Sequence, residues 1–250
     1  MAARALTGKV AIITGASRGI GRAIAERLAA DGAAVVVNYS QSTAQAAEVV
    51  AAIDGRGGRA VAIQADMSRV AESQRLFQDA ISRFGRVDIL VNNAAMALYK
   101  SIAETTEDEF DRVVALNARG PFFAMQAAAH VLPDHGRIVN ISSGATTVGF
   151  PSQSVYCGSK SALEQFTLVC ANELGPRGIT VNAVLAGPTE TDMLNGIVVH
   201  SPEFKAMLIQ RTPMGRIGHP SDIADVVAFL VSDDARWVTG QSIRVDGGAR

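Results

Sequence analysis

Lys9-Val10-Ala11-Ile12-Ile13-Thr14-Gly15-Ala16-Ser17-Arg18-Gly19-Ile20-Gly21 is the stretch that decides the fold. The run up to Thr14 is short, apolar and rich in β-branched residues, so it reads as a buried strand. Three glycines follow at once, and Ile20, Ile24 and Leu28 then recur at helical spacing. Strand, glycine-rich turn and helix in that order form the first half of a βαβ unit. Glycines here permit a tight turn and close backbone approach, and they leave the amides of a helix N-terminus aimed at an anion such as pyrophosphate. The spacing is G-x3-G-x-G and differs from the G-x-G-x-x-G dinucleotide fingerprint. The order of elements nevertheless makes Gly15, Ser17, Arg18, Gly19, Ile20 and Gly21 candidate nucleotide contacts.

The same alternation runs outward along the chain. Strands are expected at Lys9–Thr14, Ala34–Asn38, Arg59–Ala65, Val87–Asn92, Arg137–Ser142, Thr180–Leu185 and Ser242–Asp246. Helices are expected at Gly19–Asp31, Thr43–Asp54, Arg69–Phe84, Thr106–Leu132, Ser154–Leu174 and Ser221–Val231, the last with Ser221 as its N-cap. Seven nearly continuous apolar strands imply a doubly wound parallel sheet covered on both faces. No linker or repeat interrupts it, so residues 1–250 read as one α/β domain. From Leu194 to Gly218 the periodicity fades between Gly and Pro residues, which suits a lid or short helical pair over a pocket.

Composition narrows the function. The chain is 48% hydrophobic and 19% charged, with a net charge of -1, so it exerts no general pull on nucleic acid or anionic membrane and points to a small-molecule partner. The first apolar run begins at Val10, leaving no room for a signal peptide's apolar region. No apolar stretch nears the roughly 20 residues of a membrane span. Cys157 and Cys170 lack metal-ligand spacing and fall in one predicted helix, too far apart to bridge. They are expected to be free thiols, the location cytoplasmic, and metal sites absent. Phe110–Leu132 and Ala162–Leu174 are apolar almost all round, and one sheet face cannot bury a whole helix, so a homo-oligomer is expected.

The end of the second strand bears on which nucleotide binds. An acid there would hold an adenosine ribose 2′-hydroxyl and repel a 2′-phosphate. The chain has Asn38-Tyr39-Ser40-Gln41-Ser42, with no acid before Glu48. Arg18 can supply charge-assisted bonds to that phosphate, and Asn38 and Ser40 offer neutral donors, so NADP(H) is expected over NAD(H).

Tyr156-Cys157-Gly158-Ser159-Lys160 sets a phenol and an ammonium four residues apart on one helix face. A nearby positive charge favours the phenolate, making Tyr156 a candidate proton donor and acceptor. Gly175-Pro176 ends that helix. Ser142-Ser143 lies at the carboxyl end of the fifth strand, where parallel sheets bind ligands, with Ser143 thirteen residues before Tyr156. Adjacent strand residues face opposite ways, so the two serines compete for one role.

Taken together, Thr14–Gly21, Asp66-Met67, Asn92-Asn93-Ala94-Ala95, Asn117, Ser142-Ser143, Tyr156 and Lys160 stand in the order of the classical short-chain dehydrogenases/reductases, which the chain resembles over its whole length. The resemblance implies a Rossmann fold and a homotetramer, with a homodimer as the smaller alternative. It implies that Asp66 and Met67 hold the adenine, and that Asn93, Ala94 and Ala95 line the ribose region. Tyr156 would be the acid/base, Lys160 would bind the nicotinamide ribose, Ser143 would hold the substrate oxygen and Asn117 would anchor a relay water. Hydride would leave the pro-S face of the nicotinamide. Gly187, Thr189 and Thr191 would belong to the loop over the nicotinamide. Two departures stand out: Ala186 replaces the usual Pro and Ala95 the usual Gly. Altered loop mobility or affinity is expected.

Met96, Leu98, Thr146, Val148, Phe150, Gln153, Met193, Leu194 and Val198 are candidate pocket residues, and with no Arg evidently placed to clamp a carboxylate, a hydrophobic aldehyde or ketone is expected. The resemblance extends to 3-oxoacyl-[acyl-carrier-protein] reductases. Pro133-Asp134-His135 stands where those often carry a basic cluster, which counts against an acidic carrier protein, although Arg177 is a remaining docking candidate. A protein that senses NADP(H) without turnover would have a broken Ser-Tyr-Lys set, and here the set is intact. His130, His200 and His219 have no partner spacing and read as surface or core.

Overall fold

The structure, a computed structural model, describes residues 5–198 and 201–249, with the side chains of residues 197 and 198 outside that description. Its first half runs β1 (Val10–Ile13), α1 (Gly19–Ala30), β2 (Ala34–Tyr39), α2 (Thr43–Asp54), β3 (Arg59–Gln64), α3 (Val70–Phe84), β4 (Ile89–Asn92), α4 (Glu107–Val114) and α5 (Gly120–Val131). It continues through β5 (Arg137–Ser143), α6 (Ser154–Leu174), β6 (Thr180–Ala186), α7 (Asp192–Val198), α8 (Pro202–Gln210), α9 (Pro220–Val231) and β7 (Ser242–Val245). The strands form one parallel sheet in the order β3-β2-β1-β4-β5-β6-β7. This is the expected doubly wound Rossmann arrangement.

Side chains along each strand alternate between the two faces. Ala11, Ile13, Val35, Val37 and Val91 join α1 and α9 through Ile24, Leu28, Ile223 and Val227. Ile12, Val36 and Leu90 join α3, α5 and α6 through Leu76, Phe77, Ala124, Met125 and Leu163. The five inner strands β2, β1, β4, β5 and β6 are therefore sealed on both sides, which is why they read as apolar runs, whereas the edge strands β3 and β7 stay partly exposed. From β1 the chain winds outward through β2 and β3, then returns to place β4 on the opposite side of β1. A crevice opens at the carboxyl ends of the strands at such a reversal.

Two local departures from expectation have physical causes. The expected helix over 106–132 is interrupted by a π-helical turn, Ala115–Arg119. Pro121 has no N–H to offer the Asn117 carbonyl one turn back, and a Cβ on Gly120 would sit 2.2 Å from the Met67 carbonyl oxygen. The last helix starts at Pro220, not Ser221; His219 is its N-cap, and the Asp222 carboxylate accepts the His219 N–H at 2.7 Å. Ala186, which stands where the family usually has Pro, is the last residue of β6 and pairs with Ser143 and Val245. A residue that keeps its N–H can continue a ladder that proline would end.

Where a lid or short helical pair is expected, over 194–218, the chain forms the two short helices α7 and α8, and the Ser201 hydroxyl caps α8 by accepting the Phe204 N–H at 3.3 Å. Leu208 and Ile217 are buried there against Phe150, Leu194 and Phe204. No helix among the described residues is long and apolar enough to cross a membrane.

Candidate active site

A cavity of about 840 Å³ lies over the carboxyl ends of the strands. Every residue expected on the cofactor side lines it: Gly15, Ser17, Arg18, Gly19, Ile20, Gly21, Asn38, Tyr39, Ser40, Asp66, Met67, Asn93, Ala94, Ala95, Gly187, Thr189 and Thr191. Ser143, Tyr156 and Lys160 line it too, whereas Asn117 is buried behind the wall.

The glycine loop is built to exclude side chains. Gly15 has φ +62°, and a Cβ there would meet the Ala94 backbone at 2.9 Å; at Gly21 it would lie 2.5 Å from the Gly15 carbonyl and from Asn93 Nδ2. Asn93 ties the loop to the end of β4 by donating to the carbonyls of Thr14 at 2.9 Å and Gly15 at 3.0 Å. No side chain caps α1, so its first amides remain available. A cradle this tight, ending on free amides beside an elongated cavity, fits the pyrophosphate of a dinucleotide.

At the far end, one expectation changes. Asn38 is 1% exposed, and its amide is committed to the protein. Its oxygen accepts the Gly15 N–H at 3.2 Å, and its nitrogen donates to the Ala65 carbonyl at 3.1 Å. It shapes the loop and offers no donor to a 2′-phosphate. Arg18 lies 3.6 Å from Asp192, the first residue of α7, with both side chains largely exposed. Asp66 accepts both the backbone N–H and the hydroxyl of Ser68, at 3.0 and 2.8 Å.

The chemical end converges on Tyr156. Burial pushes the pKa of its phenol up, and the neighbouring Ser143 hydroxyl opposes the rise. Burial, not Lys160, is thus the main influence on the phenol in this structure. Lys160 is 3% exposed, and its Nζ donates to the Ile141 carbonyl at 2.8 Å. Burial lowers the pKa of its ammonium to about 8, and Glu164 acts against the fall. Of the two serines, Ser143 is the one at Tyr156, whereas Ser142 turns to α6 and donates to Glu164 Oε1 at 2.5 Å. Asn117, at the π turn, accepts the Met96 N–H at 2.9 Å, and donates to the Met96 carbonyl at 2.8 Å and to Ser159 Oγ at 3.2 Å. A π turn at a functional position is a recurrent device, and here it swings the amide inward. Asn92 bonds Asn140 at 2.8 Å inside the sheet, a strand-end partner with no chemistry.

In the substrate half, Met96, Val148, Phe150, Gln153, Met193 and Leu194 line the cavity as expected; Leu98 and Thr146 do not. Val198's side chain and His200 lie outside the described residues. Tyr99, Phe204, Leu208 and Arg211 line it unforeseen. Arg211 is a correction to the expectation of no arginine there, and its guanidinium stacks 5.4 Å from the Phe150 ring centroid. Phe204 and Leu208 on α8 and Arg211, its C-cap, recur at a helical spacing that could have revealed them. Arg177 bonds Asp134 and the carbonyls of Ala129 and Leu132, so it braces the end of α5. His219 Nδ1 lies 3.1 Å from Glu190. Both cysteines are free, and the described residues contain no cluster suited to a metal.

Comparison with known proteins agrees with this geometry. A family model described as enoyl-(acyl carrier protein) reductase matches residues 15–250. The short chain dehydrogenase/reductase nsrJ of Aspergillus novofumigatus is 45% identical over 254 residues, covering 98% of this chain and 96% of its own. The hydroxynaphthalene reductase-like protein Arp2 of Metarhizium brunneum is 45% identical over 257 residues, again covering 98% and 96%. Angucycline C-6 ketoreductase LanV, solved with bound NADP, superposes with a TM-score of 0.92 at 46% identity, covering 98% of this chain and 96% of its own. Likeness of this extent, in sequence and in superposition alike, makes the chain a member of the short-chain dehydrogenase/reductase family.

Proposed function

We propose that the protein is an NADP(H)-dependent carbonyl reductase acting on an apolar, ring-bearing ketone. The observation that carries this reading is the meeting of Ser143, Tyr156 and Lys160 in the cavity that also holds the glycine cradle. The cradle and the α1 amides would hold the pyrophosphate, Asp66 and Met67 the adenine, Arg18 the 2′-phosphate, and Lys160 with Thr189 and Thr191 the nicotinamide end. The chemistry such a dinucleotide supplies when bound is hydride to a carbonyl carbon. Tyr156 Oη gives its proton to the carbonyl oxygen, and Ser143 Oγ donates a second hydrogen bond to that atom as negative charge develops on it. Lys160 favours the phenolate left on Tyr156, and Asn117 anchors the water that returns the proton. In the opposite direction the same groups serve alcohol oxidation.

Tyr99, Phe150 and Phe204 give the substrate half an aromatic lining suited to a flat ring. The likeness to a hydroxynaphthalene reductase-like protein and to an NADP-bound ketoreductase supports the same class. Loss of NADPH absorbance is expected with bicyclic aromatic ketones well above the rate with 3-oxoacyl thioesters. Turnover of the thioesters alone would replace this reading with that of an acyl-chain reductase, and no turnover with any substrate would remove it.

A homotetramer, or failing that a homodimer, in the cytoplasm completes the proposal. Phe110, Phe122, Leu168 and Val169 on α4, α5 and α6 are 44–55% exposed, while Phe122 stacks edge-on with Phe123 and Phe166. An aromatic patch of this kind marks an interface. Sedimentation equilibrium is expected to give two or four times the chain mass of 26.2 kDa, and a monomer mass would refute it.

A further inference from the structure

Ser142 and Glu164 have no part in the reaction as proposed, yet Ser142 lines the cavity and Glu164 is bonded to it. Ser142 is 3% exposed and its hydroxyl lies 2.5 Å from Glu164 Oε1, the length of a charge-assisted bond. Glu164 follows Lys160 by four residues on α6, so the two side chains rise from one helix face a turn apart. The ammonium itself bonds the Ile141 carbonyl, next in the chain to Ser142. A buried ammonium facing only neutral oxygens reverts to the amine unless an anion stands near.

We propose that Glu164 is a positioning residue for the reaction: its carboxylate, fixed by Ser142, is the counter-charge that keeps Lys160 an ammonium inside the closed site. The role attributed to Lys160 rests on the carbonyl-reductase reading; the state of its proton does not. On α4, which packs against α6, Glu107, Asp108 and Asp111 are exposed and Glu109 is paired with Lys100, which leaves Glu164 as the source of negative charge. From α6 itself come Tyr156 and Cys157, both pushed toward their neutral forms by burial. From the loop after β4 comes Tyr99, held neutral in the same way, with a pKa of about 12. The π turn presents the neutral Asn117, and its Arg119 donates to the Ser68 carbonyl. β5 carries Arg137 at its far end, tied to Asp233, and β6 carries no titratable side chain. Glu164 accordingly raises the Lys160 pKa against the effect of burial. The Ser142 hydroxyl, in turn, holds the Glu164 carboxylate in place by donating to it at 2.5 Å.

The test uses the full chain, with its four lysines labelled at Cε and followed by NMR across pH. Lys160→Met identifies the signal. Glu164→Gln, which keeps shape and the bond from Ser142, is expected to lower the Lys160 midpoint by about one pH unit, the low end of what a close opposite charge supplies. Glu164→Asp restores most of it, and Ser142→Ala lowers it by less than Glu164→Gln does. In steady-state ketone reduction the alkaline limb of kcat/KM moves to lower pH by the same amount in Glu164→Gln. An unchanged Lys160 midpoint in Glu164→Gln overturns the proposal. So does a loss of activity equal at every pH that Glu164→Asp fails to restore, since that is the mark of a packing role. Should Glu164→Gln fail to fold, Glu164→Asp and Ser142→Ala decide through the midpoint alone. If the wild type reduces no ketone, the carbonyl-reductase reading falls, while the NMR shift still reports on Glu164.

Discussion

Tyr156→Phe is expected to lower kcat for ketone reduction by about 10² to 10⁴-fold, the range that a positioned acid/base contributes. The phenyl ring fills the same volume, so packing at α6 is retained and only the hydroxyl disappears. With it goes the proton delivered to the carbonyl oxygen, and Ser143 loses its partner. Because hydride transfer to a carbonyl without a proton leaves an alkoxide in a buried site, the barrier rises by roughly 3–5 kcal/mol, about 1.4 for each factor of ten. NADPH affinity, read by fluorescence titration, is expected to stay within about two-fold, since the cradle, the α1 amides and Lys160 are untouched. A variant with wild-type kcat would remove Tyr156 from the chemistry. A variant that loses NADPH binding in parallel would assign it to the cofactor site instead.

The site was legible in the sequence where local pattern and chemistry coincide. The three glycines, Tyr156 and Lys160 were readable because a turn that tolerates no Cβ and a helical spacing of four each leave a direct signature. The inner strands of the sheet announced themselves because both faces are sealed, and α2 and α6 match their expected limits residue for residue. Distant pairings left no such mark. Ser142 and Ser143 were equivalent in sequence and separate only once α6 packs across β5. Asn38 looked like a free donor, yet its amide fastens Gly15, a contact 23 residues back along the chain. The π turn did have a signal, Gly120-Pro121 inside an otherwise helical pattern, but its effect on Asn117 depends on the Met67 backbone lying against Gly120. Arg18 is legible by its charge alone, whereas its neighbour Asp192, at the start of α7, is brought to it only by the fold.

That neighbour shapes the second large effect. Arg18→Ala is expected to weaken NADPH binding by about 10 to 100-fold, as loss of a charge-assisted bond of roughly 1.5–3 kcal/mol implies. NADH, lacking the 2′-phosphate, is expected to change by less than about three-fold, the scale of an exposed ion pair. Asn38 cannot compensate, since both ends of its amide are engaged. Asp192 competes with the phosphate for the same guanidinium, so Asp192→Asn should move the other way and tighten NADPH by a few-fold, an exposed pair being worth at most about 1 kcal/mol. Both effects shrink as salt rises, because Arg18 and Asp192 are 63% and 69% exposed and a Debye length of about 8 Å at physiological ionic strength screens them. Affinities for the two nucleotides, measured by fluorescence at low and high salt in both single variants and the double variant, separate the contributions. Equal losses of NADPH and NADH in Arg18→Ala would mean that the residue steadies the glycine loop and reads no phosphate. Nucleotide preference would then have to come from Tyr39 and Ser40, which line the same end of the cavity.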